Sequence, residues 1–589
     1  MRVSSYSDSS APAASRRLPI HEDGVSSPFP AFSSFGEEAF AQARRRNVPL
    51  FLVIGDLPMG LDDPSVALHL SERTVPVHLP CGMRPDVELL CQRAGMLFSG
   101  EGALPLCALL HPDGLPFLAA PLPPGDYPLD PSRLFVWLTQ ADRRFIQNRA
   151  ACASQAAQVI HSFSAERSLR KPTPRDAAHA LSRALSAAQD KRNGGFGDAK
   201  SPFLPALCFL QQAALRGDGT AHSILSRTLD AMLSGSLLDP LDGGFFRACL
   251  TDDWRGFIPE KPLGVNALLA RILLRAGRRT EAVRTFDFLL SAFELPGGGM
   301  SPSLSAPMSI YAFTPQQVCA ALGSEDGLRV CRLLGLLHRH TRSAPRLTPS
   351  RFSPLPAKEG RLSMDEEPLC PRMPASLTPE DAAFLRRAAP ALLRLRQART
   401  PQRPAPILLT ADCALAAFVL AECGAKLGEP RFTQAAQRAV NRILTLAPAP
   451  GGLAGLTPAA FPASPPQAMC GAGASLALAL FALAQSEEAF LPSAVRILSA
   501  TLHAFTRKDG LPMHTPDLPS AVFPRVPAVY DSELPSPAAL LVHALRLAHA
   551  LLPGRGYDEA IDAIWHAAAP AAFAQPLSCA GLIDAVNQA

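Results

Sequence analysis

No Cys-x-x-Cys pair occurs anywhere in this 589-residue chain, although it carries 13 cysteines. Thiol–disulfide exchange needs a second thiol to resolve the mixed disulfide, so single cysteines exclude an ordinary dithiol cycle. The same scatter excludes a cysteine-based zinc knuckle, and His514, His543 and His566 stand alone, without a second histidine or carboxylate at ligand spacing. They read as surface or core histidines, and neither a metal nor a cofactor is expected. No apolar core of a secretory signal follows Met1, so the cysteines are expected to be reduced, in a cytoplasmic protein. Charged residues are only 18% and the formal net charge is +5, carried mainly by arginine. No basic stripe interleaves with the few aromatics (6%), which excludes a nucleic-acid surface. The longest uncharged apolar stretch, Ala468–Ala484, is shorter than the roughly 20 residues a membrane span requires. It is rich in small residues, and a buried helix is expected there, with no membrane partner.

What is abundant is apolar residues, at 48%, and proline, at 59 residues. Together they predict many short helices between proline-bounded loops, and the length allows two to about four domains. Near the N-terminus the pattern differs. Gly36–Phe40 opens a helix that closes at Arg44–Asn47, and Phe51–Ile54 is a buried-strand run leading into Gly55–Gly60. Thr74–Leu79 reads as a second strand, and Leu106–Phe117 as a hairpin turning at Asp113-Gly114. Helix, strand, helix, strand, hairpin is the order of a thioredoxin-like domain. An active thioredoxin delivers two cysteines to a helix N-terminus at the first turn, whereas here Asp56–Leu61 occupies it.

After Trp137 the strand signals stop. Helical segments follow at Arg175–Gln189, Phe203–Leu215, Ala221–Leu233, Leu263–Ala276, Thr280–Ala292, Asp381–Arg396, Asp412–Leu427, Arg431–Leu446, Ser475–Leu483, Leu491–Phe505, Ser536–Leu552 and Asp558–Ala569. They pair as hairpins of one helix apolar almost all round and one amphipathic helix, a repeat that closes into an (α/α)6 toroid or stays open as a solenoid. Glycine-rich loops at Asn193–Gly197, Asp242–Phe246, Gly297–Met300 and Gly451–Leu453 recur at hairpin-like intervals, which favours the closed toroid with a cavity at one rim. The expected domains are a flexible tail at 1–27, a thioredoxin-like domain at 28–145 and a toroid at 146–589. A proline-rich mobile loop is expected at about 341–378. The stretch from Trp137 to Ser168 reads as continuous helix, so the two domains are expected to pack together.

In collinear order the chain resembles the thioredoxin-domain proteins related to spermatogenesis-associated protein 20. The segments that carry the likeness include Gly36–Phe40, Arg84–Val87, Pro112–Gly114, Asn193–Gly197, Asp242–Phe245, Glu260-Lys261, Asn266–Ala270, Thr314-Pro315 and Asp531. The resemblance implies an N-terminal thioredoxin-like domain joined to a six-hairpin toroid similar to sugar epimerases and glycosidases, with a cis proline at Pro105. It also exposes departures. The family's Cys-His-x-Cys-His turn is missing, Phe246 and Ile258 stand at two histidine positions, and Val265 stands at an aspartate position. The family's acidic segment becomes Met300–Ser305, and its Thr-Ser-Trp-Asn-Gly segment becomes Thr410–Ala414.

Sugar hydrolysis or epimerisation needs two placed acid/base groups. The survivors at family positions are Asp242, Glu260 and Asp531 as candidate catalytic residues, with Arg247, Trp254 and Asn266 as candidate substrate contacts. Glu260 equally suits a helix N-terminus, Asp531 a turn, and Trp254 hydrophobic packing. The expectation is a catalytically degenerate member of this architecture, binding a small sugar or a protein segment in its toroid cavity. The alternatives are a carbohydrate-active enzyme working through the surviving carboxylates and, least favoured, a thiol redox protein.

Overall fold

A computed structural model describes residues 31–58, 60–123, 129–163, 172–337, 370–374, 376–399, 407–446, 469–517 and 523–588. The expected N-terminal tail, the Gly451–Leu453 loop and nearly all of the proline-rich loop lie outside the described residues.

The N-terminal unit runs β1 (Ser33–Ser34), α1 (Glu37–Arg46), β2 (Leu50–Ile54), α2 (Pro64–Arg73), β3 (Val75–Leu79), α3 (Pro85–Ser99), β4 (Leu106–Leu110), β5 (Pro116–Pro121), α4 (Pro131–Gln147) and α5 (Arg149–His161). Its sheet order is β1-β3-β2-β4-β5, with β3 parallel to β1 and β2, and β4 antiparallel to β2 and β5. This is the thioredoxin-like topology that the sequence order predicts. All five residues of β2 are buried, as a strand covered on both faces requires. The Leu104–Pro105 peptide bond is cis, at the position the resemblance implies. The expected continuous helix after Trp137 is two helices, because Asn148 ends α4 and its side chain caps α5 by accepting from the Ala151 N–H. Helix α5 packs on β5, α3 and α4, so the boundary expected after residue 145 falls inside this unit.

The rest is a ring of alternating outer and inner helices. Outer α6 (Pro174–Ala188) leads to inner α7 (Leu204–Leu215). Outer α8 (Gly219–Ser234) leads through β6 (Glu260–Pro262) to inner α9 (Leu263–Arg275), and α10 (Arg279–Ala292) is outer. An insertion follows, with β7 (Ser303–Ser305), α11 (Met308–Tyr311), α12 (Pro315–Leu322), α13 (Ser324–Leu333) and α14 (Pro379–Arg399). The ring then resumes with inner α15 (Thr410–Leu427), outer α16 (Pro430–Leu446), inner α17 (Cys470–Ala484), outer α18 (Leu491–Phe505), inner α19 (Pro537–Leu551), outer α20 (Tyr557–Ala574) and inner α21 (Ala580–Asn587). Each inner helix packs on the next, α7 on α9, α9 on α15, and so on to α21, which packs back on α7. The ring is therefore closed: an (α/α)6 toroid.

Two corrections follow for the helix count. The segment Asp381–Arg396 lies in α14, whose packing partners are α11, α12 and α13 of the insertion, and the twelfth ring helix is the short α21, which no sequence segment marked. Inner and outer roles follow from composition. Helix α17 is apolar around its whole circumference, with 12 of its 15 residues buried, whereas α16 buries one stripe, Phe432–Ile443.

Four of the loops that lead from outer to inner helices share one construction. A short antiparallel bridge pinches each turn: Gln189 with Phe196, Leu238 with Phe245, Glu294 with Met300 and Thr506 with Pro512. Left-handed glycines make the bend, among them Gly194 at φ +74° and Gly243 at φ +83°. All these turns gather at the rim where the inner helices begin.

A candidate site where the thioredoxin-like sheet meets the ring mouth

The N-terminal unit seats on that rim. Phe35 meets Phe523 edge to face, and Arg93 stacks over Phe163 and Tyr530 while its Nη1 donates to Gln575 Oε1 at 2.9 Å. Leu409, just ahead of α15, presses so close to Gly82 that a Cβ there would lie 2.7 Å from its methyl.

The turn that would carry thiols in a thioredoxin points into this junction. Gly55 ends β2 at φ +100°, and a side chain there would strike Pro105 at 2.9 Å, so the backbone can pass only as glycine. His78 Nε2 lies 2.8 Å from the Gly55 carbonyl. Asp56 follows, exposed at its edge, and the loss of solvation from surrounding protein first and the charge of Glu260 second raise its carboxyl. Cys81 sits beside Gly55, where burial raises its thiol far above the reactive range. Glu88, at the start of α3, accepts from the Gly82 N–H at 2.6 Å, yet burial pushes it up to about 7.

From the ring side comes Arg247. Its guanidinium grips Glu260 in a two-bond fork, Nε to Oε2 at 2.6 Å and Nη2 to Oε1 at 2.7 Å, and its Nη1 donates to Glu533. Backbone pairing fixes the fork, because the Arg247 N–H donates to the Glu260 carbonyl and Glu260 is held in β6 against Ser305 of β7. Asp412, in the first turn of α15, faces the same group. Burial pushes it up to about 7, the charge of Glu533 adds to the rise, and Arg247 works against it. One of its oxygens lies 3.4 Å from where a Cβ on Gly264 would stand, and the other 3.9 Å from the equivalent point on Gly82. Asp412 thus stands between the ring and the N-terminal unit. Arg247 is bonded to Glu260 and Glu533, its charge reaches Asp412, Glu88 and Asp56, and burial pushes Asp412 and Glu88 well above the ordinary carboxyl range. Such a set can hydrogen-bond a polar ligand from several sides and pass it a proton.

The structure separates the other expected site residues from this cluster. Asp242 belongs to a buried quartet: Lys261 Nζ lies 2.8 Å from Asp239 and 2.6 Å from Asp242, and Arg396 of α14 binds Asp239 at 2.7 Å. This quartet pins the insertion to the ring. Asp531 joins two helix starts, accepting from the Ser536 and Gly581 N–H groups at 2.8 Å each, while burial pushes it up to about 7. Trp254 is 2% exposed, covers Gly195 and Gly235, and donates to the Asn193 carbonyl, so it offers no stacking face. Asn266 is fully buried, with its side chain spent on the Phe245 N–H and on the Phe245 and Pro262 carbonyls. Phe246 and Val265 are core residues; Phe246 stacks on Phe257 at 3.8 Å between ring centres.

Of this cluster, sequence reasoning named Arg247 as a candidate substrate contact and Glu260 as a candidate catalytic residue, and did not name Glu533, Asp412, Glu88 or Asp56 as site residues. A signal existed for Asp412, since Thr410–Ala414 replaces a polar family segment. Among the described residues no group of three or more His, Cys, Asp or Glu is arranged to hold a metal ion. No described helix is long and apolar enough to cross a membrane.

These features define the class: a thioredoxin-like unit without its thiol pair, docked on the mouth of an (α/α)6 toroid. Residues 27–164 match the family described as "Protein of unknown function, DUF255". The chain is similar to spermatogenesis-associated protein 20 over part of its length. It is 26% identical to the human protein over 257 residues, or 40% of this chain and 33% of that one. An uncharacterised protein of Caenorhabditis elegans is 24% identical over 243 residues, 37% of this chain and 32% of its own. The matches thus span about a third of the length of these relatives. Among solved structures, a D-mannose isomerase matches at a TM-score of 0.40 and 10% identity, covering 67% of this chain and 85% of its own. A cellobiose 2-epimerase from Bacillus thermoamylovorans matches at 0.41 and 7% identity, covering 67% and 86%. The ring assignment rests on the helix packing described above.

Proposed function

We propose that this protein is redox-inactive and binds a small polyhydroxylated molecule of the sugar class at the junction of its two units. The observation that carries the reading is the Arg247 fork between Glu260 and Glu533, with Asp412 beside it. Alternating donors and acceptors held rigidly at a half-buried site match the paired hydroxyls of a sugar, each of which both donates and accepts. In this reading the thioredoxin-like unit has exchanged thiol chemistry for a binding role, contributing Asp56 and Glu88. Calorimetric titration of the full chain with neutral hexoses and disaccharides tests it. Binding that weakens at least tenfold in Glu533→Gln supports the reading, and no heat with any sugar in the panel removes it. Insulin reduction in the presence of dithiothreitol is expected to stay at the background rate.

A second reading is favoured by Asp412, whose carboxyl near 7 suits a general acid or base at physiological pH. Sugar turnover that Asp412→Asn reduces by about 10²-fold or more would make the protein a carbohydrate-active enzyme rather than a degenerate one.

A further inference from the structure

The middle of the ring is almost filled. Inner helices α7, α9, α15, α17, α19 and α21 leave a cavity of about 30 Å³ on the ring axis, with Cys208, Leu268, Arg271, Leu478, His543 and Asp584 in its wall. Most of that wall is apolar. Its polar members are Arg271, His543 and Asp584; Asp584 is 2% exposed and its Oδ1 has no hydrogen-bond partner among the described protein groups, while Oδ2 accepts from Gln588 at 2.7 Å. Arg271, in the same wall, pairs through Nε with Glu422 at 2.8 Å, and Arg275 shares that carboxylate. A buried carboxylate oxygen without a donor costs about 1–3 kcal/mol or more. A cavity of this size holds a water molecule, which needs at least about 10–15 Å³ and two or more polar partners.

We propose that the ring axis is a built hydration site, in which one or two ordered waters donate to Asp584 Oδ1 and bridge to the polar atoms of Arg271 and His543. The ligand class is set by the wall. The space is too small for any organic molecule, and the carboxylate requires a donor. This inference is independent of what the junction binds.

The test is a crystal structure of the full chain at about 1.8 Å or better, paired with the cavity-filling variant Cys208→Leu. The expected result is one or two density peaks within hydrogen-bond distance of Asp584 Oδ1 and a lower melting temperature for Cys208→Leu, which strands the carboxylate. Asp584→Leu supplies a second measurement, since removal of the carboxylate should abolish the peaks and make the Cys208→Leu change harmless in that background. An empty cavity, a halide in place of water, or a Cys208→Leu protein that is as stable as the parent would overturn the proposal.

Discussion

At the scale of single residues, two kinds of buried charge behave differently. Lys261 is fully buried between Asp239 and Asp242, lies 4.7 Å from the centre of the Phe246 ring, and keeps its proton because both carboxylates outweigh the cost of burial. Removing Lys261 leaves two buried carboxylates to share Arg396 alone, so Lys261→Met is expected to destabilise the fold by about 3–5 kcal/mol, measured by chemical denaturation. Asp412, Glu88 and Asp531 are the opposite case, each pushed up to about 7 from ordinary values of 3.8 or 4.5. The folded state then holds their protons more tightly than the unfolded chain does between about pH 4 and 7, so each lowers stability as pH rises through that window. The depressed carboxyl of Asp190, near 2, favours the fold above its unfolded value and loses that contribution only at lower pH. The melting temperature should therefore fall between pH 5 and pH 8, and Asp412→Asn should flatten the slope. An unchanged profile in that variant would show that the Asp412 proton is not held as described.

At the scale of elements, close approach of helices decides where small residues are needed. Inner α17 crosses outer α18 at Gly473, where a Cβ would lie 2.2 Å from Thr501 Oγ1, itself buried and bonded to the Ile497 carbonyl. Gly473→Ala must move Thr501 or the helix, and a cost of about 1–3 kcal/mol is expected in thermal or denaturant unfolding. Helix α6 opens the ring through a capping box, in which the Thr173 hydroxyl accepts from the Asp176 N–H and the Asp176 carboxylate accepts from the Thr173 N–H. Thr173→Ala is expected to cost about 1 kcal/mol, with Thr173→Ser close to neutral.

At the scale of the whole molecule, the two units share a packed boundary rather than a tether. The aromatic pair of Phe35 and Phe523, the Arg93 stack on Tyr530 and the fit of Leu409 over Gly82 bury the junction on several sides. A protease cut between α5 and α6 is thus expected to leave both fragments co-eluting on native gel filtration. Clean release of an N-terminal fragment would mean that the boundary is weak and that the site at the junction is not preformed.

The sequence alone determined what depends on near neighbours. Alternating strand and helix signals with a glycine hairpin gave the thioredoxin-like order, and helices apolar on all sides gave the inner ring, because burial pattern is written locally along a helix or strand. The missing thiols were equally plain. Only the tertiary structure decided which amphipathic helix belongs to the ring, since α14 and the ring helices carry the same kind of stripe and differ only in what they pack against. It also decided the site. Arg247 and Glu533 lie 286 positions apart, and Asp56 and Glu88 come from the other unit altogether. A carboxylate on a loop reads the same in sequence whether it caps a helix, as Asp531 does, or meets a guanidinium from a distant loop of the ring, as Glu533 does. The difference is one of burial and partner, and both are set by how distant segments close on each other.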